Sequence, residues 1–206
     1  MEVHSLEYSQ IINEAHTLFY DLSPLDKWEF YTEAEGIKSY IRQDAATGLK
    51  MARGEGIINK SAAEIVKSAL DSSAVIKWGK NLSTHEKIHE QDEYYIYRSI
   101  DTKKMLVAQR ETLVVNQVIR QEDGSTLILQ RSLDHPSFPE NKDYVRAFVY
   151  LFAWLLTPNQ EDPNKTDIIC IIYVDPKGWV PKPVFNAFIN DQALTVKKLK
   201  EYLEKV

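Results

Sequence analysis

His85 and His89 stand at the spacing of the zinc metalloprotease motif His-Glu-x-x-His, with Glu86 in the place of its general base. That chemistry requires a helix, because residues four apart then lie about 5–6 Å from each other and both imidazoles can reach one ion. In a strand the same two residues are roughly 13 Å apart and cannot share a metal. Gly-Lys-Asn at 79–81 and Tyr-Tyr-Ile-Tyr at 94–97 favour a strand or loop here. We therefore predict no metal site and no cofactor, and keep a zinc hydrolase as an alternative.

Two other sets of residues contain parts of known catalytic or binding motifs. Ser132, Asp134 and His135 are the ingredients of a nucleophile with its base, but neighbours in the chain cannot face each other, so a histidine in a turn is the better interpretation. The Gly-Glu-Gly sequence at 54–56 lacks the later glycine of a dinucleotide-binding loop, and indicates a strand that another segment approaches closely, or a bulge. We find no convincing catalytic constellation and predict that the protein is not an enzyme.

The composition is that of an ordinary globular protein. The chain has 206 residues, 44% of them hydrophobic and 27% charged, and we treat 1–206 as a single domain with a sizeable core. A net charge of −5 argues against nucleic acid as a partner. The lone Cys170 allows no internal disulfide, and its apolar neighbours predict a buried, unreactive thiol. The N-terminus does not have the pattern of a signal peptide, and the most apolar stretch, 147–156, is too short to span a membrane, so we expect a cytoplasmic protein.

The stretch that best indicates the architecture lies near the C-terminus. The β-branched run Ile168–Val174 predicts a strand with both faces covered. A turn follows at 175–180, and the sequence from Pro181 to Leu203 then has the period of a helix, with its apolar residues on one stripe. This long helix must therefore pack on a surface that the earlier chain builds.

The rest of the chain predicts strands flanked by helices. An amphipathic helix at 6–22 comes first, and Ser61 and Glu64 form a capping box that begins the first of two short helices, which end near Leu70 and Trp78. Strands are predicted at 28–32, 37–43, 49–58, from 86 onward, and at 93–100, 107–121, 126–133 and 144–157. Separate runs of strands and helices indicate an α+β protein, in which an antiparallel sheet of about nine strands curves around the long C-terminal helix.

The inner face of that sheet has two interpretations. The apolar strands and the many tyrosines form either a large filled core or the wall of a cavity that holds a hydrophobic ligand. A filled core would suit an interaction module, whereas a hollow one would suit a carrier. The residue pattern alone leaves both open.

Four stretches, read together, resemble the steroidogenic-acute-regulatory-protein-related lipid transfer (START) domain. They are Gly54–Ile58, Ala108–Glu111, Asp134–Ala147 and Val174–Pro181, and Trp78 after the two short helices also fits. The resemblance extends over essentially the whole chain. It implies a helix-grip fold, in which the sheet clasps the C-terminal helix over a lipid tunnel, and it implies non-enzymatic binding and transfer or sensing of a single lipid. An enzyme of hydrolase or cyclase type on the same scaffold is the alternative.

The resemblance also implies which side chains contact the lipid. Tyr97 and Asn116 stand where sterol carriers have an acid and an arginine, Tyr97 and Tyr150 match two positions of the choline cage in the phosphatidylcholine carrier, and Gln130 matches an amide of the ceramide carrier. The ligand is therefore expected to be a phospholipid, a sphingolipid or a sterol. The other expected contacts are Trp154, Phe185, Phe188 and Ile189.

A tunnel of this kind has to open at a membrane. We expect the opening to involve Met105, Leu106, Trp179 and Val180, together with the beginning of the C-terminal helix. The basic and apolar loop at 103–106 is the segment expected to touch lipid. The expected partners are thus one lipid molecule and, transiently, a membrane surface.

Overall fold

The computed structural model describes residues 2–103 and 107–205. The helices are α1 (Glu2–Leu22), α2 (Ala62–Leu70), α3 (Ser72–Gly79), α4 (Lys182–Ala193) and α5 (Thr195–Leu203), with a short 3-10 turn at Leu25–Lys27. The strands are β1 (Glu29–Ala34), β2 (Ile37–Gln43), β3 (Lys50–Ile58), β4 (Leu82–Gln91), β5 (Tyr94–Asp101), β6 (Arg110–Arg120), β7 (Thr126–Ser132), β8 (Val145–Arg146), β9 (Phe148–Pro158) and β10 (Thr166–Asp175).

Nine of the strands form one open antiparallel sheet in the order β1-β2-β3-β10-β9-β7-β6-β5-β4. The first three strands and the later meander meet through β10, which pairs with both β3 and β9. The apolar run that begins at Ile168 is therefore a central strand, as its β-branched sequence predicts. The α+β class, the helix-grip arrangement and the order of elements are those expected from the sequence.

Both short helices have an N-terminal cap, and the first begins at the expected residue, Ser61. Ser61 Oγ accepts a hydrogen bond from the Glu64 amide, and the Glu64 carboxylate accepts one from the Ser61 amide, so the capping box is complete. Asp71 then caps α3 by accepting from the amides of Ser73 and Ala74 at 2.8 and 3.2 Å. These local hydrogen bonds satisfy amides that a helix leaves free at its N-terminus.

Two predicted elements are divided in the structure. The strand expected at 144–157 splits at Ala147, because residues 145–147 pair with β6 instead of continuing along β10: the amide of Ala147 donates to the carbonyl of Glu111 at 2.8 Å. The C-terminal helix is interrupted at Leu194, where φ is −92° and ψ is 8°. Helix α4 and helix α5 thus follow each other across a break of one residue.

The two faces of the sheet have different coverings. Helix α1 covers the outer face with buried residues such as Ile12, Ala15 and Phe19. The inner face receives α5, whose Val196 and Leu199 are fully buried. Sheet and helix therefore share one core on the inner side, next to β3.

The contact between α5 and β3 requires a glycine. A Cβ atom at Gly54 would lie 2.8 Å from Val196 Cγ2 and 3.2 Å from Val196 Cβ. Ser39 Oγ on the neighbouring strand donates to the carbonyl of Ala193 at 2.7 Å and fixes the same end of the helical segment. This close approach is one of the two interpretations that the Gly-Glu-Gly sequence offered.

A buried ion pair holds the opposite half of the sheet together on its outer face. The Glu111 side chain, which is 1% exposed, accepts from Arg98 on β5 and Arg146 on β8. Arg146 also donates to the carbonyls of Phe138 and Pro139, at 3.2 and 3.3 Å. The motif residues around 111, 138 and 146 therefore have a structural role, because they join three strands and a loop.

Gly54→Ala is expected to lower the free energy of unfolding by about 1–3 kcal/mol, because the added methyl overpacks the contact with Val196. Urea denaturation measures the change. In a Val196→Ala background the same substitution should cost clearly less. Gly79→Ala is the control, since its Cβ would meet only Leu82 Cδ1, at 3.9 Å. Equal losses in both backgrounds would contradict the assigned contact.

Candidate functional site

A cavity lies between the inner face of the sheet and helices α3, α4 and α5. The cavity has a volume of about 200 Å³. The protein's own side chains therefore leave part of the inner face unfilled.

Most of the cavity wall is apolar. The sheet contributes Val114, Val149, Phe152, Trp154, Ile172 and Val174, α3 contributes Val75 and Trp78, and α4 contributes Val184, Phe185 and Phe188. The indoles of Trp78 and Trp154 meet edge to face, with ring centroids 6.0 Å apart. A wall of this kind suits hydrocarbon, which gains free energy by leaving water.

His85 borders the cavity from β4 and is held by two neighbours on β5. Its Nδ1 lies 2.7 Å from Ser99 Oγ, and its ring stacks on Tyr97 with centroids 4.8 Å apart and planes at 7°. The Tyr97 hydroxyl donates to the carbonyl of Leu70 at 3.1 Å. Burial lowers the pKa of His85 to about 4 and raises the pKa of Tyr97 to about 12. Both rings are therefore neutral at pH 7.

Asn116 and Gln130 are opposite each other on β6 and β7, and Gln130 lines the cavity. The Asn116 side chain is only 1% exposed, and neither its Oδ1 nor its Nδ2 has a partner in the part of the chain that the structure describes. The same holds for Nε1 of Trp78, a residue of the cavity wall. Buried polar atoms normally have hydrogen bonds, so these groups need a partner that the described residues do not provide.

Arg110 connects the sheet to the turn before α4, residues 176–180, which we call the gate loop. Its buried guanidinium donates to the carbonyls of Pro176, Lys177 and Trp179, at 3.1, 2.9 and 3.3 Å. Lys177 and Gly178 both have positive φ, at 50° and 61°, so the gate loop turns tightly around the guanidinium. Arg110 lies in one of the stretches that resemble the START domain. Its contacts with the gate loop join residues at least 66 positions apart in the chain, so no local sequence pattern indicates them.

The other charged side chains of the cavity wall already have partners. The Lys198 ammonium group donates to the carboxylate of Asp191 and, at 3.2 Å, to its carbonyl. The Asn81 amide also donates to the Asp191 carboxylate. Within residues 2–103 and 107–205, the two cations that line the cavity, Arg110 and Lys198, are thus both engaged.

The structure brings several expected ligand contacts together in the cavity wall. They are Gln130, Trp154, Phe185, Phe188 and, at the gate loop, Val180. Tyr97 and Asn116 lie on the same face of the sheet, as neighbours of wall residues, but they do not border the cavity themselves. Ile189 is buried, at 3% exposure, and lies outside the cavity wall.

Tyr150, an expected ligand contact, does not line the cavity. The register between β9 and β10 shifts where Tyr173 pairs with Leu151 and Val174 with Val149, which leaves Tyr150 in a bulge. Its side chain lies on the outer face, stacked on Tyr173 with ring centroids 4.6 Å apart, in a groove beside α1. A substitution of Tyr150 therefore probes packing on the outer face and not retention of a ligand.

The structure describes only some of the residues that we expect to contact a membrane. Trp179 in the gate loop is 75% exposed, which makes it the most exposed large apolar side chain among the described residues. Met105 and Leu106 lie outside the described residues. No helix within the described part of the chain is both long and apolar enough to cross a bilayer.

The metalloprotease spacing does not form a metal site. His85 and His89 both lie on β4, where a bulge between Lys87 and His89 separates them. His85 is buried against Tyr97, whereas His89 is exposed, with its ring 6.2 Å from that of His135. No group of three or more histidine, cysteine or acidic residues able to hold a metal occurs in the described ranges. Cys170 is buried, and burial raises the pKa of its thiol.

A family model, similar sequences and a similar structure all point to the same protein family. The family model described as the START domain matches residues 14–204. StAR-related lipid transfer protein 5 of Bos taurus is 24% identical over 166 residues, which covers 78% of each chain. The mitochondrial steroidogenic acute regulatory protein of Danio rerio is 27% identical over 176 residues, covering 82% of this chain and 60% of that protein.

A solved structure has the same fold over nearly the whole chain. The human StAR-related lipid transfer protein 5 superposes with a TM-score of 0.85, covers 98% of both chains, and is 20% identical in sequence. The curved sheet, the two short helices and the C-terminal helical segment are therefore shared at low sequence identity.

Arg110→Met is expected to loosen the gate loop, because three of its carbonyls lose a charged donor. The loss in stability should be about 1.5–3 kcal/mol, and amide hydrogen exchange should accelerate at 176–190 while β9 and β10 stay protected. Arg120→Met is the control, since Arg120 is exposed at the far end of the same strand. Unchanged exchange in the gate loop would contradict the role of Arg110.

His85 is expected to make stability depend on pH. Its pKa in the folded protein, about 4, lies below the ordinary value of 6.5. The unfolded chain therefore binds a proton first, and stability present above pH 6.5 is lost as the pH falls toward 4, by up to roughly 3 kcal/mol. Urea denaturation at pH 7 and pH 4.5 measures this loss. It should shrink in His85→Phe and persist in His89→Phe, and equal pH dependence in both variants would contradict the assignment.

Proposed function

The chain belongs to the START domain family of lipid-binding and lipid-transfer proteins, and we propose that it binds one lipid molecule in the cavity beneath α4 and α5 and carries or presents it without changing it chemically. The observation that carries this proposal is the cavity itself. Its wall is largely apolar, and the C-terminal helical segment forms one side.

The physical benefit of such a cavity is large. A lipid chain of about 16 carbons exposed to water costs about 13 kcal/mol, at about 0.8 kcal/mol per methylene. A dry apolar wall removes most of that cost while the lipid is between membranes. No bond has to be broken, so the function requires a void and a way in rather than catalytic groups.

The entrance is best explained by the gate loop and α4. Helix α5 is fixed by its contact with Gly54, and the break at Leu194 separates it from α4, which borders the cavity through Phe185 and Phe188. Movement of α4 about this break would open the cavity while α5 stays in place. The exposed Trp179 beside it suits contact with a bilayer interface, where tryptophan is favoured.

An enzyme is the less favoured alternative. His85 and His89, the residues that could form a zinc site, lie in different environments, since His85 is buried and His89 is exposed. His135 lies in a turn, where its Nδ1 accepts a hydrogen bond from the Ser137 amide at 3.2 Å. We place the proposed activity in the cytoplasm, where a buried, unpaired thiol such as Cys170 stays reduced.

The proposal predicts a co-purifying lipid. Native mass spectrometry after gentle purification should find close to one lipid per chain, and extraction should identify it. Phe188→Glu, which places a charge in the cavity wall, should remove most of the bound lipid and of transfer between vesicles.

Phe30→Glu is the matched control, because Phe30 is 61% exposed on β1, away from the cavity wall. It should retain lipid at the wild-type level. Failure to recover or transfer any lipid with the wild-type protein would contradict the proposed function, and equal lipid loss in both variants would contradict the assigned location.

A further inference from the structure

Three polar side chains form a row across the inner face of the sheet. His85 on β4 pairs in register with Ser99 on β5, which pairs with Thr112 on β6, and all three line the cavity. Directly opposed residues of neighbouring strands share a face and lie within about 5 Å of each other at Cβ. The cavity wall therefore has a row of polar side chains that crosses strands β4, β5 and β6.

Within this row the His85 ring has a fixed orientation. Tyr97 covers one face of the ring, and Ser99 Oγ lies 2.7 Å from Nδ1. The hydrogen bond of the ring to Ser99 is made at Nδ1, which leaves Nε2 to bind a ligand. Burial keeps the pKa near 4, so the ring is neutral and one nitrogen donates while the other accepts.

With Ser99 bound to Nδ1, the His85 Nε2 atom can either donate a hydrogen bond to a hydroxyl group or accept one from it. When the Ser99 hydroxyl donates to Nδ1, the proton of the imidazole is on Nε2 and Nε2 donates. When Nδ1 donates to Ser99, Nε2 accepts. A hydroxyl group both donates and accepts, so it matches the pair in both tautomers.

The charges of the wall argue against a buried phosphate. Arg110 is surrounded by main-chain carbonyls of the gate loop, and Lys198 is paired with Asp191. In the described part of the chain, no other cation borders the cavity. A phosphate brought inside would lose its hydration without gaining a free cation, which is costly in an apolar wall.

We propose that His85, oriented by Ser99, binds the hydroxyl group of an uncharged lipid, and that the cavity discriminates against phospholipids. This inference rests on the proposed function, because it names the chemical class of the ligand and the residue that recognises it. The buried Nε1 of Trp78, which has no hydrogen-bond partner in the described residues, is an unsatisfied polar group in the same wall.

The first test compares lipids. Wild-type protein is incubated with phosphatidylcholine vesicles that contain cholesterol, ceramide or diacylglycerol, and the lipid bound to the re-isolated protein is measured. At least one uncharged lipid should be enriched over phosphatidylcholine, relative to the vesicle composition. Phosphatidylcholine as the preferred ligand would overturn the inference and leave the proposed function standing, whereas no bound lipid of any kind would contradict both.

The second test examines the hydroxyl contact. The best-bound lipid is compared with its O-methyl ether on the wild type, His85→Phe and Ser99→Ala. Methylation of the lipid and His85→Phe should each weaken binding by about tenfold, the scale of one lost hydrogen bond. Their combination should cost little more than either alone, because both remove the same contact.

The controls separate this contact from general damage. His89→Phe makes the same substitution on the same strand at an exposed position, and it should bind both lipids like the wild type. Circular dichroism and thermal unfolding verify folding, and Ser99→Ala, a smaller change, should reproduce the direction of the His85 effect. Additive effects of methylation and His85→Phe would overturn the inference.

Discussion

Direct contact between Gly54 and Val196 is the constraint on which the rest of the site depends. Because no side chain stands between them, α5 lies directly on β3, and Ser39 holds the carbonyl of Ala193 at the same point. The chain leaves the helical geometry at Leu194, and α4 is a separate helix whose last residue, Ala193, is the one that Ser39 holds. A helix packed closely along its whole length would close the space beneath it. The cavity instead lies beside this contact, with Phe185 and Phe188 of α4 in its wall.

Strand β6 links this cavity to the rest of the fold through two adjacent residues. Successive side chains of a strand point to opposite faces. Arg110 therefore reaches the gate loop on one side, while Glu111 binds Arg98 and Arg146 on the other. The strand whose Arg110 holds the gate loop is thus itself held by buried ion pairs. Because the Arg110 guanidinium donates to carbonyls of the gate loop, it is not free to bind an anion inside the cavity.

The expected site residues divide according to what decides their direction. Trp154 and Phe188 follow the alternation of a strand and the stripe of a helix, and both line the cavity. Tyr150 does not line the cavity because one bulge reverses the alternation, and a bulge is set by pairing with β10 and not by local sequence. His85 belongs to a sequence motif that binds metal only in a helix. In the structure its neighbours are Ser99 and Tyr97 on β5, because β4 and β5 pair as strands.

The sequence by itself determined the elements and the family resemblance, since caps such as Ser61, the β-branched run Ile168–Val174 and the glycine at 54 act through local backbone preference and size. Only the tertiary structure decided which side chains face the cavity, where the C-terminal helix breaks, and which charges are already paired. Those outcomes depend on strand register and on contacts between residues far apart in the chain, such as Arg110 with Lys177. Local preference carries no information about such contacts, because their energy exists only once the sheet and the helices have packed together.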